Sequence, residues 1–229
     1  MENSETVTEL LGIRISEPVT AITDLQVSAV CLYAFLKLRK SKSTLPAVRL
    51  FSYYFLTMSI STAYGGIIGH AFIHTLNFGW KVPTWILSMF SIALIERASI
   101  LHAQPLIEPR VGRFFSVVNI IELITMLVVV LSTLNFFYVE AHAAYGLLVV
   151  VFSFELFIYR KKKNEESKLL LIAVGISAIA ATVHLSQFSI HRWFNHNDLA
   201  HVLMAIAAYV FYLGAKQIKA IEKYPHKLR

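Results

Sequence analysis

Residues 198–216, DLAHVLMAIAAYVFYLGAK, have the length and composition of a helix that crosses a lipid bilayer. Such a helix needs about 20 mostly apolar residues. The segment in front of it, HRWFNHN at residues 191–197, is rich in side chains that bind metals or transfer protons. The stretch therefore predicts a membrane helix with a polar site where the helix begins.

Six further stretches of the chain resemble this one in apolar composition. Hydrophobic residues make up 56% of the 229 residues and charged residues 15%, more apolar surface than one soluble core of this size buries. The connections are short, and no internal repeat is evident. We therefore predict an all-α integral membrane protein, a single domain over residues 1–229 forming a seven-transmembrane-helix bundle. The predicted helices cover roughly residues 18–38, 47–74, 83–103, 114–138, 142–159, 168–190 and 198–216.

The N-terminal segment does not have the form of a signal peptide. MENSETVTELLGIRISEPVT lacks a basic start, an uninterrupted apolar core and a small-residue cleavage site, so we expect the first helix to remain in the mature protein. The single cysteine, Cys31, lies within an apolar run, which excludes a disulfide framework.

Basic residues predict the orientation of the bundle. Of the 21 Lys and Arg residues, 17 lie on one side, Arg97 lies inside a helix, and Arg14, Lys81 and Arg192 lie on the other side. Because basic loops favour the cytoplasm, the N-terminus is predicted outside and the C-terminus inside. The net charge of +7 then reflects topology and attraction to anionic inner-leaflet lipid, and nucleic acid is not an expected partner. In a bacterial cell this places the protein in the inner membrane.

Most histidines fall at one depth of the predicted bundle. Seven of the nine lie at the outer end, which in a bacterium faces the periplasm. This distribution predicts a polar layer at that end. The seven residues are His70, His74, His142, His184, His191, His196 and His201.

Helical spacing indicates which polar side chains share a face, because residues three, four or seven apart are neighbours on a helix. Taken singly, His74, His142 and His191 fit interfacial anchors better than a site, and Asn197 or Asp198 also fits a helix cap. Ionisable side chains one or two turns inside an apolar segment are costly and usually mark a site, which favours Asp24, His70 and His201. The faces are Glu17, Thr20 and Asp24 on helix 1; Gly66, His70 and His74 on helix 2; His184, Gln187 and His191 on helix 6; and Asp198 with His201 on helix 7.

A second polar set lies nearer the cytoplasmic side. It consists of Glu96, Arg97, Asn119, Glu122 and Glu155. An interhelical ion pair between Arg97 and Glu122 is the structural interpretation, and a proton or ion path is the alternative.

Histidines and carboxylates at one depth are the ingredients of a catalytic zinc site. Three imidazoles with an open fourth position bind zinc, which lowers the pKa of bound water to about 7 and polarises a carbonyl. A nearby carboxylate then serves as a general base or orients the histidines. A compact signature such as HExxH is absent from the sequence, so spacing alone supports metal binding only weakly.

The architecture resembles the seven-helix superfamily of alkaline ceramidases, adiponectin and progestin receptors and Per1-like proteins. His70 in GGIIGHAF matches that superfamily's histidine near the end of helix 2, and His201 in HNDLAHVLMAIAAY matches the distal histidine of its helix 7 pair. The resemblance covers nearly the whole chain and implies a zinc ion within the bundle and, for hydrolase members, cleavage of lipid amides or esters. SEPVTAITDL and FNHNDLAHV also resemble an uncharacterised bacterial membrane-protein group related to that superfamily.

The chain departs from that pattern at several positions. Asn197 stands where the helix 7 pair requires a second histidine, and His196 is five residues from His201 instead of four. Gly66 replaces the expected serine, and WKVPTWILS lacks the expected acidic residue, for which Asp24 or Asp198 is the substitute. The third metal ligand is left open among His196, His74 and His184, with Asp198 as a further possibility.

We therefore expect a zinc-dependent membrane hydrolase that acts on a lipid amide or ester. His70, His201 and His196 are the predicted metal ligands, and Asp24 and Asp198 are the predicted catalytic carboxylates. A non-catalytic receptor or sensor for a lipid or metal is the first alternative, and a small transporter using Glu96, Arg97, Glu122 and Asp24 is the second. A retinal protein is disfavoured because Lys216, the lysine of helix 7, lies at the helix end.

Overall fold

The structure is a computed structural model that describes residues 6–220, so the outermost parts of the predicted domain, 1–5 and 221–229, lie outside the described residues. Proline stands in the first turn of four of its helices, where a fixed φ and a missing N–H suit a helix start. The described helices are α1 Pro18–Lys40, α2 Pro46–Tyr64, α3 Val82–Ala103, α4 Pro109–Thr133, α5 Phe137–Lys162, α6 Glu165–Leu185 and α7 His196–Gln217.

The prediction of an all-α membrane protein is confirmed at this level. Six of these helices are long and apolar enough to cross a membrane, and in the described part of the chain α2 is not among the six. α2 is 19 residues long and carries many hydroxyl side chains. It continues as a π-helix, Gly65–Ala71, and then as a 3₁₀ turn, Ile73–Thr75, where the sequence predicted one helix to residue 74.

α6 ends earlier than predicted. The predicted helix ran to residue 190, whereas α6 stops at Leu185, and Gln187 has a left-handed backbone with φ 54°. A residue in that conformation cannot continue a right-handed helix. His184, Gln187 and His191 therefore do not form the continuous helical face that their spacing suggested.

A short β-hairpin precedes α1, in a segment for which the sequence predicts no secondary structure. β1 (Val7–Leu10) pairs antiparallel with β2 (Ile13–Ser16), and both turn residues, Leu11 and Gly12, have positive φ. Two-residue turns of that kind match the twist of paired strands. The hairpin leads directly into Glu17 and so fixes the position at which α1 begins.

The buried core lies among α1, α2, α3, α6 and α7. Phe51, Phe55, Ile95 and Phe211 are among its largest fully buried side chains. α4 lies at the periphery, with three buried residues among its 25. We call the end where α1 and α7 begin the histidine-rich end, and the end where they finish the basic end.

Candidate functional site

A buried carboxylate lies between two imidazoles at the histidine-rich end. Oδ2 of Asp24 is 3.7 Å from Nε2 of His70, and Oδ1 of Asp24 is 3.5 Å from Nε2 of His201. The side chain of Asp24 is 9% exposed, that of His201 16% and that of His70 24%. The structure thus brings together three predicted site residues, one each from α1, the π-helix and α7.

Glycine at position 66 allows α1 and the π-helix to approach closely enough for this contact. A Cβ on Gly66 would lie 2.9 Å from the carbonyl oxygen of Ala21 and 2.9 Å from Cβ of Asp24. Carbon atoms do not normally approach other side-chain or backbone atoms so closely, and any other residue would push the helices apart. π-helices are often found at functional sites, and this one carries His70.

The protonation of the His201 ring follows from its partner Thr23. The hydroxyl of Thr23 donates to the carbonyl oxygen of Thr20 at 3.0 Å, so its oxygen is free to accept. That oxygen is 3.1 Å from Nδ1 of His201 and accepts the Nδ1 proton. In the neutral ring, Nε2 of His201 then carries a lone pair directed toward Asp24.

Glu17 orients His70 in the same way. Oε2 of Glu17 is 2.6 Å from Nδ1 of His70 and accepts its proton. This hydrogen bond to His70 lowers the pKa of the Glu17 carboxyl below its ordinary value. Glu17 is held in a left-handed conformation, φ 43°, and its N–H donates to the carbonyl oxygen of Thr6 at 2.7 Å. The backbone around the hairpin thereby positions the group that orients His70.

The atoms of His70, His201 and Asp24 that face one another are therefore all hydrogen-bond acceptors when the rings are neutral. Both Nδ1 protons are taken by outlying partners, while both Nε2 atoms face the oxygens of Asp24. Imidazole nitrogens and carboxylate oxygens are zinc ligands, and a bound histidine usually donates its other N–H to a carboxylate or another oxygen. The donor chemistry and the ring orientations fit a zinc ion.

The two histidines of this group are farther apart than those of a closed zinc site. Ligands about 2.0–2.2 Å from zinc are at most about 4.4 Å apart. In residues 6–220, one set of three His, Cys, Asp or Glu residues has its ligand atoms within 4.8 Å of one another. It lies elsewhere in the bundle and consists of Glu96, Glu122 and His142. The centroids of the His70 and His201 rings are 6.3 Å apart, so these two rings must approach one another to share a metal that Asp24 also binds.

Other predicted site residues form separate contacts at the same end. The ring of His196, a predicted metal ligand, lies 5.4 Å from that of His184, whose Nε2 is 2.8 Å from Oε1 of Glu140. Nδ1 of His74 is 3.2 Å from the hydroxyl of Ser16, which ties the hairpin to the end of the π-helix region. His196 thus pairs with His184 in a second group of histidines and not with Asp24 in the part of the chain that the structure describes. Thr20 is buried and contributes its carbonyl oxygen, and Gln187 is exposed beyond the end of α6.

Asp198 caps α7. The N-cap residue is Asn195, whose Oδ1 accepts from the N–H of Asn197 at 2.8 Å, while Oδ2 of Asp198 accepts from the N–H of Asn195 at 2.7 Å. The two hydrogen bonds form a capping box. The sequence predicted the cap at Asn197 or Asp198, whereas the N-cap is Asn195, two residues before Asn197, and Asp198 completes the box. The Oδ1 atom of Asp198 is buried and, in the described part of the chain, has no hydrogen-bond partner.

The predicted ion pair between Arg97 and Glu122 is absent from residues 6–220, and the prediction was wrong. Nε of Arg97 donates to Oδ1 of Asn119 at 3.1 Å, and its guanidinium also donates to the carbonyl oxygen of Ser116. Glu122 instead contacts Nδ1 of His142 at 2.6 Å. His142, which the sequence assigned to the histidine layer, is fully buried and belongs to this separate group.

Sequence reasoning missed Thr23 and the pairing of Glu122 with His142. Thr23 lies next to Asp24 in the sequence, but a threonine in a helix usually bonds its own preceding turn, so it gave no signal of its own. His142 and Glu122 lie 20 residues apart on consecutive helices. Pairing each buried histidine with the acidic residues of the adjacent helix would have suggested this contact.

Comparison with known proteins gives one match. The model of a family of unknown function, DUF6962, matches residues 19–220 of the chain. No curated protein and no solved structure matches it. The match covers the start of α1, where Asp24 lies, through the whole of α7.

Proposed function

This chain belongs to the DUF6962 family of unknown function, and we propose that it is a zinc-dependent membrane hydrolase that cleaves the amide or ester bond of a lipid. The observation that carries the proposal is the position of Asp24 between the Nε2 atoms of His70 and His201. Both rings are held by their Nδ1 atoms, so their ligand nitrogens are directed at one carboxylate.

In this proposal His70, His201 and Asp24 hold the zinc. Bound zinc supplies a water of pKa about 7 and polarises the carbonyl to be cleaved. Asp24 has one oxygen toward each ring, so one oxygen can bind the metal while the other accepts a proton. Glu17 and Thr23 keep the imidazoles in the tautomer that leaves Nε2 free.

His70 and Glu17 form the more exposed side of the site. Their side chains are 24% and 25% exposed, whereas Asp24 is 9% exposed. A reacting carbonyl reaching Asp24 therefore passes these two residues first. The lipid substrate class is the one implied by the superfamily resemblance, and six helices apolar enough to cross a membrane suit a substrate that arrives from the bilayer.

The proposed topology has seven spans, with α2 and the π-helix together forming the second. α2 and the π-helix run from Pro46 to Ala71, and residues 46–71 rise far enough to cross a bilayer if they stay roughly straight. The basic end then faces the cytoplasm and the histidine-rich end the opposite side, which is the periplasm if the protein lies in a bacterial inner membrane.

The test is metal content and turnover of the detergent-purified protein. We expect zinc in wild-type protein and hydrolysis of at least one member of a panel of ceramides and phospholipids, with both lost on chelation and restored by zinc. His70→Ala and His201→Ala should lose both properties while staying folded. His191→Ala, which changes an exposed histidine at the same end, should retain them.

Two outcomes would contradict the proposal. Hydrolysis that persists after complete chelation would exclude a metal-dependent reaction. Zinc binding at His70 and His201 without turnover of any lipid in the panel would instead favour the non-catalytic receptor or sensor.

A further inference from the structure

A second group of ligand atoms lies in the interior of the bundle, away from the histidine-rich site. Glu96 of α3, Glu122 of α4 and His142 of α5 each contribute one atom to a set whose members all lie within 4.8 Å of one another. Two carboxylates and an imidazole from three different helices thus meet at one point. Glu96 and His142 are fully buried, and the side chain of Glu122 is 12% exposed.

Nδ1 is the ring nitrogen of His142 that faces this point. Its Nε2 is 3.0 Å from the carbonyl oxygen of Met89, which can only accept, so Nε2 carries a proton. Nδ1 of His142 lies 2.6 Å from Oε1 of Glu122, so these two atoms share a proton, which a metal ion bound there would displace. A histidine that binds a metal commonly donates its other N–H to a backbone carbonyl in this way.

Each carboxylate also keeps one unused oxygen. Oε2 of Glu96 accepts from Nδ2 of Asn119 at 2.8 Å, but Oε1 of Glu96 and Oε2 of Glu122 are buried and lack hydrogen-bond partners anywhere in residues 6–220. Unpaired acceptors and charges are expensive inside a bundle surrounded by hydrocarbon. A positive charge placed among these atoms would satisfy all of them at once.

The nearest basic side chain does not supply that charge directly. Arg97 follows Glu96 in α3, yet its guanidinium donates to Asn119 and to the carbonyl oxygen of Ser116. Asn119 is thereby fixed between Arg97 and Glu96, with its oxygen accepting from one and its nitrogen donating to the other. Arg97 orients the group that holds Glu96 and leaves the centre of the cluster to another cation.

We propose that Glu96, Glu122 and His142 bind a divalent first-row metal ion, such as Zn²⁺ or Mn²⁺, at a site separate from the histidine-rich end. Oxygen and imidazole ligands together suit these ions. Asn119 and the Met89 carbonyl hold Glu96 and His142 in position for the metal. None of these residues belongs to the hydrolase site, so metal binding here does not depend on the proposed hydrolase reaction.

The backbone of α5 makes room for this site. A Cβ on Gly146 would overlap Oε1 of Glu96 and the side chain of Ile92, so glycine is required beside the carboxylate. A π-helix, Gly146–Val151, begins at the same residue and is a feature often associated with binding sites. The local structure of α5 therefore coincides with the unpaired oxygen of Glu96.

A cavity of 330 Å³ leads to the cluster. Glu96, Asn119 and Glu122 line it together with Tyr145, and the rest of the wall is mainly apolar and includes Phe115 of α4 and Phe154 of α5, whose rings pack edge to face. This volume lies within the range of small-molecule sites, roughly 300–1,000 Å³. Three protein ligands leave coordination positions vacant on a metal, and the cavity gives a water or a small ligand a route to them.

The experiment counts metal ions in chelated and reloaded full-length protein. Zn²⁺ and, separately, Mn²⁺ are titrated into wild-type protein and into Glu96→Gln, Glu122→Gln and His201→Ala variants, and bound metal is measured by elemental mass spectrometry. Glu155→Gln is the matched control, because Glu155 is an equally buried glutamate that contacts His102 and Ser167 instead. Thermal melting confirms that each variant is folded.

We expect the two cluster variants to bind one metal ion fewer than wild type, and Glu155→Gln to bind as many. His201→Ala should lose a different ion, so Glu122→Gln combined with His201→Ala should lose both. If the histidine-rich site binds no metal, wild type should still bind one ion that Glu122→Gln removes, which separates failure of this proposal from failure of the hydrolase.

A milder variant guards against loss of folding. Asn119→Ala keeps all three ligands but removes the hydrogen bond to Glu96, and it should lower the affinity of the Glu96–Glu122–His142 site for its metal about 10–100-fold. Metal content unchanged in folded Glu96→Gln and Glu122→Gln protein would overturn the proposal. That result would mean that the two carboxylates and His142 share protons and bind no metal.

Discussion

Replacing Thr23 by valine should weaken zinc binding without removing any metal ligand. Valine has nearly the same shape as threonine but cannot accept a hydrogen bond from Nδ1 of His201, a nitrogen that is 3.1 Å from the Thr23 oxygen. His201 is then free to move its proton to Nε2, the nitrogen that faces Asp24. Groups that hold the second nitrogen of a metal-bound histidine are worth about 10–100-fold in metal affinity, or about 1.4–2.7 kcal/mol.

The measurement is a competition titration of the apo protein against a chromophoric zinc chelator in mild detergent. Thr62→Val is the matched control, because Thr62 is also a buried threonine and its hydroxyl donates to Met58 of its own helix. We expect this control to keep the wild-type dissociation constant and Thr23→Val to raise it at least tenfold. Folded Thr23→Val protein with an affinity within twofold of wild type would refute the assignment of the His201 tautomer.

Three further predictions concern stability, measured by denaturant or thermal unfolding. Because folding lowers the pKa of Glu17, ionised Glu17 should stabilise the folded protein above pH 4.5, the ordinary pKa, and this stabilisation should be lost as the pH falls through the lowered pKa. A Glu17→Gln variant should therefore be less stable than wild type at neutral pH, and the difference in stability should disappear in acid. A difference that does not depend on pH would contradict this prediction. Asn195→Ala should cost about 0.5–2 kcal/mol by removing the cap of α7 while metal content stays unchanged. Gly214→Ala places a Cβ 2.8 Å from Leu170 and should destabilise the protein. The cost of overpacking, about 1–3 kcal/mol, should exceed the gain in helix propensity of up to about 1 kcal/mol. Unchanged or increased stability would show that α6 and α7 can separate.

The helices were largely predictable because apolar length is a property of composition. The predicted helix starts at residues 18, 47 and 83 lie within one residue of those of α1, α2 and α3. Proline marks each of those starts, so a local chemical signal agreed with the apolar pattern. The end of α6 was missed because nothing in the sequence around Gln187 announces a left-handed residue.

The meeting of His70, Asp24 and His201 was predictable only as a shared depth. Each residue lies a turn or two inside an apolar segment, and the three segments place them at the same end of the bundle. Depth alone does not decide which side chains touch, since His196 lies at the same end and faces His184. The selection depends on Gly66, which lets the π-helix approach Asp24, and on Glu17, which the hairpin positions.

Depth was misleading for His142 because α5 begins earlier than the apolar pattern indicated. The helix starts at Phe137, not at residue 142, which carries His142 more than one turn into the bundle. There it meets Glu122 of α4 and the Met89 carbonyl of α3. An error of about one turn in the predicted start of the helix thus assigned His142 to the wrong polar group.

Both polar groups are organised by the same rule, which makes bound cations the consistent explanation for them. In each group one ring N–H is given to an acceptor outside the group, Thr23 or Glu17 in one and Met89 in the other, so the inner nitrogens are acceptors when the rings are neutral. The carboxylates between them are also acceptors. Basic side chains are concentrated at the basic end, and Arg97, which lies within α3, is turned toward Asn119 and Ser116. The charge that both groups require must therefore come from protons or metal ions, and the variants at His201 and Glu122 distinguish these at each site separately.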